Sequence, residues 1–185
     1  KADGKYTGSV EIPASVVHEG VTYAVTTIGK NAFDGCKDMT SIAMPNSIIA
    51  IENNAFYGCR SLTSVTVPNS VTSIAYEAFR YCDKMTSIYI GSGVRSIGSN
   101  VFYYCEKLSS IHISDLEAWC TIKFAANLLT PSRHLYVNGE ELKDLVVPAS
   151  VPETSPISSI FVFLPNPKYV AYLSISEIPI LVPTS

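Results

Sequence analysis

A spacing of 23 residues governs this chain. Phe33, Phe56, Phe79 and Phe102 stand 23 apart, and so do Cys36, Cys59, Cys82 and Cys105. The columns Ile28, Ile51, Ile74, Ile97 and Met39, Leu62, Met85, Leu108 keep the same step, as do Ile42, Val65, Ile88 and Ile111. Apolar columns repeated at one fixed period, within the range of about 20–50 residues, mark a stacked array of a single supersecondary unit. A unit of this length cannot bury its apolar side alone. Stacked in register, like columns cover one another and make a continuous core. The four phenylalanines are therefore expected to stand in a line.

Two periodicities coexist inside one unit. Val65-Thr66-Val67 alternates, which puts Thr66 on one face and its neighbours on the other, as in a strand. Pro68 ends that strand, having no amide to donate to a ladder. Ile74, Ala78, Phe79 and Cys82 then follow at the spacing of one apolar helical stripe. Each unit reads as a short strand, a turn, and a short helix or helical turn. The expected fold is an α/β repeat solenoid, with a parallel sheet of strands about 4.8 Å apart on one face and short helices on the other.

Less regular units flank the array. Val10-Glu11-Ile12-Pro13-Ala14-Ser15 matches Val65 to Ser70 and begins a first turn. Extra residues then intervene before Ile28, and Val16-Val17 and Val21-Thr22-Tyr23 around His18-Glu19-Gly20 predict a β-hairpin. Residues 10–28 read as an N-terminal cap over the first open core face, which solenoids need. The regular repeats run over about 28–113. Past Ile113 the period breaks: Ser114-Asp115 can cap a short helix over Leu116 to Cys120. Leu135-Tyr136-Val137 and Asn138-Gly139 predict a hairpin with a type I′ turn, and Leu145-Val146-Val147-Pro148 restores the strand pattern. Residues 114–151 are thus an enlarged repeat, and 1–151 one solenoid domain. The tail, 152–185, holds six of the eleven prolines and no glycine. Two readings of it stand: a C-terminal cap built from degenerate turns, or a frameshifted or truncated end.

Composition excludes several functions. Apolar residues make up 47% and charged ones 16%, so a large core is expected rather than disorder. Net charge is −3 without a Lys/Arg cluster, which disfavours nucleic acid and anionic membrane surfaces alike. No apolar run is long enough to insert into a bilayer. The chain begins at Lys1; a signal peptide is expected to have been trimmed or cleaved.

Catalysis, cofactors and metals find no footing in the residues. The cysteines lack the close pairing of a zinc site, and each ends an apolar stripe. They read as a reduced, buried column. His18-Glu19 is not followed by the rest of a zincin motif. The serines at 41, 64, 87 and 110 recur on every turn, so their nearness to His112 reports the repeat rather than a nucleophile.

Binding is better served. Glu11, Ala43, Thr66, Tyr89, His112, Tyr136 and Val146 fall between core residues and form one outward file along the sheet. The core columns hardly vary, whereas this file does. Thr66, Tyr89, His112 and Tyr136 are the candidate ligand-binding residues, the three rings serving as anchors because aromatic side chains give large contact area at low entropic cost. Solvated strand residues without a partner are the plain alternative. Tyr57, Tyr81, Tyr103 and Tyr104 form a rival patch on the other face.

The motif Ile-Gly-x-x-Ala-Phe-x-Gly-Cys, present as Ile28 to Cys36, together with Pro-x-Ser-Val and the 23-residue period, resembles the BspA-like, or Treponema pallidum type, leucine-rich repeats. The likeness covers about residues 8–151. It implies a right-handed leucine-rich-repeat superhelix from a secreted or cell-surface bacterial protein. It also implies a non-catalytic adhesion module whose partner is a protein, such as host extracellular matrix or another cell surface. A structural spacer within a larger surface protein and a carbohydrate-binding module are the alternatives, so a glycan partner stays open.

Overall fold

The computed structural model describes residues 6–126, 128–130 and 132–143. The first turn holds β1 (Gly8–Glu11), the hairpin strands β2 (Ser15–His18) and β3 (Val21–Ala24), and β4 (Thr27–Ile28). Each regular unit then supplies a longer and a shorter strand: β5 (Met39–Ala43) with β6 (Ala50–Ile51), β7 (Ser64–Val67) with β8 (Ser73–Ile74), and β9 (Ser87–Ile90) with β10 (Ser96–Ile97). The last described elements are β11 (Ser110–Ile113), α1 (Leu116–Cys120), β12 (Lys123–Phe124), β13 (His134–Val137) and β14 (Glu140–Glu141).

These strands stack as a solenoid. On one side β7, β9, β11 and β13 pair in parallel, and β14 folds back antiparallel on β13. β1 and β5 form a parallel pair of their own at the start of that side. A second sheet, absent from the sequence reading, runs β12-β10-β8-β6-β4, one short strand from each turn. Its ladder sets Ile28 beside Ile51, Ile51 beside Ile74, and Ile97 beside Phe124. The enlarged repeat therefore re-enters the isoleucine column through Phe124.

Between the sheets lies one core. Phe33, Phe56, Phe79 and Phe102 stand in line as expected, with centroids 5.2, 5.0 and 5.9 Å apart and the first two ring pairs within 3° of parallel. Cys36, Cys59, Cys82 and Cys105 are buried and form no disulfide. Their thiols do more than fill space. The Sγ of Cys59, Cys82 and Cys105 donates to the carbonyl of Phe33, Phe56 and Phe79 on the turn before, at 3.2, 3.4 and 3.0 Å.

Of the short helix or helical turn expected in each unit, the regular units take the turn. Among the described residues α1 is the one α-helix, capped as predicted by Asp115, whose carboxylate accepts from the Ala118 amide at 2.9 Å. In the regular units the stripe lies on hydrogen-bonded turns. The amides of Asn54, Phe56 and Gly58 donate to the carbonyls of Tyr76, Ala78 and Arg80 on the next turn, at 3.1, 2.8 and 2.8 Å. Those between them, of Ala55, Tyr57 and Cys59, reach back three residues within their own turn. A helix would commit each amide to its own i−4 carbonyl, so bonding between turns and helix formation exclude one another. Left-handed residues complete the break. Asn31, Asn54, Glu77 and Asn100 have φ between 54° and 58°, and four residues further on Gly35, Gly58, Tyr81 and Tyr104 have φ of 67°, 67°, 60° and 59°. A residue in that region does not continue a right-handed helix.

Both predicted hairpins are present. β2 and β3 join through Glu19 and Gly20, and β13 and β14 through Asn138 and Gly139, each loop with two positive φ values as a type I′ turn requires. All residues of β2 and β3 are exposed, so the hairpin stands off the core. Val10, Ile12 and Val25 at its base pack against the first turn, and the ring of Tyr6 lies 5.2 Å from that of Phe33. The strand expected at Leu145 to Val147, Val146 of the outward file, and the tail 152–185 lie outside the described residues.

Candidate binding surface

Alternation along β7, β9, β11 and β13 decides what the sheet presents outward. Val65, Val67, Ile88, Ile90, Ile111 and Ile113 turn inward and are buried. Thr66, Tyr89, His112 and Tyr136 point the other way and are direct neighbours across the parallel ladder. The ladder thus brings all four candidate residues into one file. Thr66 and Tyr89 are exposed, whereas His112 and Tyr136 are half-buried.

The three rings form a continuous stack, which the sequence did not reveal. The centroids of Tyr89 and His112 are 4.3 Å apart and 12° from parallel; those of His112 and Tyr136 are 4.8 Å apart and 24° from parallel. Both faces of the imidazole are covered. Burial lowers the pKa of His112 below the ordinary histidine value, because an imidazolium there would lose water contacts. Burial thus favours the uncharged imidazole between the two rings.

Beside it runs a groove of about 360 Å³, lined by Thr66, Asn69, Tyr89 and His112 together with Asn138 and Gly139 of the β13–β14 turn. Aromatic and aliphatic side chains together with the amides of Asn69 and Asn138 in its lining give it an amphipathic character. Where β14 folds back on β13, Glu141 Oε1 and His134 Nδ1 are hydrogen-bonded at 2.7 Å. The serine file also forms: Ser64, Ser87 and Ser110 pair across the ladder, and Ser41 Oγ donates to Ser9 Oγ at 2.9 Å.

The rival patch is assembled as well, on the turns rather than on the sheet. Tyr81 and Tyr104 stack at 4.7 Å and 3°, Tyr57 meets Tyr81 edge-on at 5.4 Å, and Tyr103 tilts against Tyr104 at 4.3 Å. At its centre sits Arg80, with its guanidinium carbon 4.9–5.9 Å from all four ring centroids. Arg80 is ion-paired to Glu77, a carboxylate only 6% exposed. Burial opposes ionisation of Glu77, but hydrogen bonds from Tyr76 and Arg80 outweigh it and hold its carboxyl below the usual value.

Sequence reasoning named the tyrosines and missed Arg80, Glu77 and the backbone beneath them. The signal was present in the 23-residue alignment, which puts Tyr81 and Tyr104 where Gly35 and Gly58 stand. A non-glycine residue in the left-handed region costs roughly 1–2 kcal/mol. Stacking of one aromatic pair returns about 0.5–1.5 kcal/mol, so the paired rings offset only part of the strain.

A family model described as the BspA type leucine rich repeat region matches residues 26–153 in six copies. No curated protein matches. Among solved structures, the chain is similar to a Treponema pallidum leucine rich repeat protein at 21% identity and a TM-score of 0.47, over 63% of this chain and 67% of that one. It is similar also to a leucine rich cell surface protein of Faecalibacterium prausnitzii, at 24% identity and a TM-score of 0.44, over 74% of this chain and 45% of that one. The pneumococcal vaccine antigen PcpA matches at 23% identity and a TM-score of 0.47, over 72% of this chain and 36% of that one. For the last two, this chain spans about half or less of the other's length.

Proposed function

This chain belongs to the BspA-type leucine-rich-repeat family, and from that premise we propose that it is a non-catalytic protein-binding module of a secreted or cell-surface bacterial protein. Repeat arrays of this kind act through shape and multiple contacts along an extended face. The partner in this reading is a host extracellular-matrix protein or a protein on another cell. The cell-surface relative from Faecalibacterium prausnitzii supports the location.

The observation that carries the reading is the Tyr89–His112–Tyr136 stack beside its groove. The architecture makes no demand on those outward positions, since Thr66 and Ala43 occupy equivalent ones without a ring. Three rings already held face to face have little motion left to lose on binding, and lost side-chain freedom is one of the main terms opposing association. Aromatic residues flanking a pocket are also the commonest anchors of protein interfaces.

Surface plasmon resonance against immobilised fibronectin, laminin and collagen, and against whole cells, tests it. The Tyr89→Ala/His112→Ala variant should keep its circular dichroism spectrum and lose about tenfold or more in affinity, a loss of ~1.4 kcal/mol or greater. Unchanged affinity would remove the sheet face from consideration. An intact fold that binds no member of the panel would favour the spacer reading.

A further inference from the structure

Tyr81 and Tyr104 hold backbone positions that two earlier turns fill with Gly35 and Gly58, and all four lie in the left-handed region. A β-carbon is disfavoured there, and the glycines close the same turn without a ring. The array itself therefore does not call for tyrosine. Residues kept in such conformations cluster at functional sites, so an observed outlier points toward a use. Here two occur on adjacent turns, and their rings are stacked on one another at 4.7 Å.

Two of the three arginines around them are ion-paired. Arg80 lies among the rings but is answered by Glu77, and Arg60 by Asp83 at 3.8 Å. Arg133 spends its guanidinium on the carbonyls of Leu128 and Phe102, at 3.1 and 2.9 Å. Tyr103 and Tyr104 are 48% and 44% exposed. Beside them opens a second groove, of about 190 Å³, rimmed by Asn100, Thr130 and Arg133. It is smaller than the roughly 300–1,000 Å³ of drug-sized pockets.

We propose that this cluster is a binding site for a neutral sugar, separate from the sheet face and independent of its role. A pyranose presents an apolar C–H face and a rim of hydroxyls. The exposed rings of Tyr103 and Tyr104 meet the first; Asn100, Thr130 and the tyrosine hydroxyls meet the second. A cationic ligand would be opposed by Arg133, whose partners are neutral carbonyls. An anionic one would find Arg80 paired with Glu77, and at Arg133 a guanidinium whose two terminal nitrogens already donate to Leu128 and Phe102. Besides the methyl of Ala126, the accessible groups around this groove are phenol, amide, hydroxyl and guanidinium, all able to hydrogen-bond a hydroxylated ring.

Saturation-transfer NMR and an immobilised panel of cellotetraose, mannotetraose, galactotetraose and chitotetraose, with sialylated and sulfated oligosaccharides alongside, test the assignment. At least one neutral member should bind, with saturation strongest at its ring C–H protons. Tyr81→Gly/Tyr104→Gly restores the residue of the earlier turns, so it should leave the melting temperature unchanged or higher while weakening binding about tenfold or more. Tyr103→Ala, at a position without a left-handed backbone, should weaken binding as much. Tyr89→Ala/His112→Ala should leave it unchanged. Binding by none of the neutral members, binding only by the charged ones, or full affinity in the glycine double variant would each overturn the site.

Discussion

Phe79 shows how much of this protein is decided by single positions. Its ring is fully buried, 5.0 Å from Phe56 and 5.9 Å from Phe102. Phe79→Ala removes the contacts of two turns at once and should cost about 3–5 kcal/mol in urea denaturation; a near-neutral result would mean that the cavity collapses. His112 is decided by its surroundings in another way. Its folded pKa lies below the unfolded value of about 6.5, so the unfolded chain takes up that proton first. The stability it contributes is present above that range and is lost as pH falls through it. The urea midpoint should therefore drop between about pH 7.5 and pH 5.5, and drop less in His112→Phe, which keeps a ring in the stack. An equal drop in both proteins would place the effect at another group. At this scale the core was legible because burial imposes constancy at a fixed period. The outward stack was not: the ladder predicts that Tyr89, His112 and Tyr136 are neighbours, but rotamers decide whether their faces meet.

The elements were harder to read than the residues. A stripe such as Ile74, Ala78, Phe79, Cys82 fits a helix and also fits a turn that points its apolar side chains inward, and apolar spacing alone does not separate the two. The separating signal is Asn31, Asn54 and Asn100 followed four residues later by Gly35, Gly58 or tyrosine, residue types that mark left-handed backbone when asparagine and glycine recur. The second sheet escaped notice because its strands are two residues long, too short to display alternation. Gly91-Ser92-Gly93, where other turns have Pro-Asn-Ser, is a further local departure. There the loop runs so close to its neighbour that a β-carbon on Gly93 would lie 1.9 Å from the Asn69 carbonyl oxygen. Gly93→Ser should therefore destabilise by about 1–3 kcal/mol, even though Ser is the residue of the equivalent Ser47 and Ser70. Calorimetry checks this, and a neutral or stabilising result would show that the loop moves aside freely.

At the scale of the whole molecule, stability is a sum of turns and of contacts between adjacent turns. Deleting residues 61–83 removes one full period and joins Arg60 to Lys84, so each column closes up in register. That chain should fold cooperatively with a lower urea midpoint and a smaller m-value, since less surface is exposed on unfolding. Removing 12 residues instead, 61–72, sets strand against turn and should leave no cooperative transition by circular dichroism. The thiol column gives the intact molecule one more property. Five cysteines lie buried with no disulfide among them, so only the closed fold shields them from oxidants. In an oxidising medium a chain that has not yet wound up would expose thiolates able to cross-link in wrong combinations. Winding must then outpace oxidation, and the order of those two events separates a usable array from a tangled one.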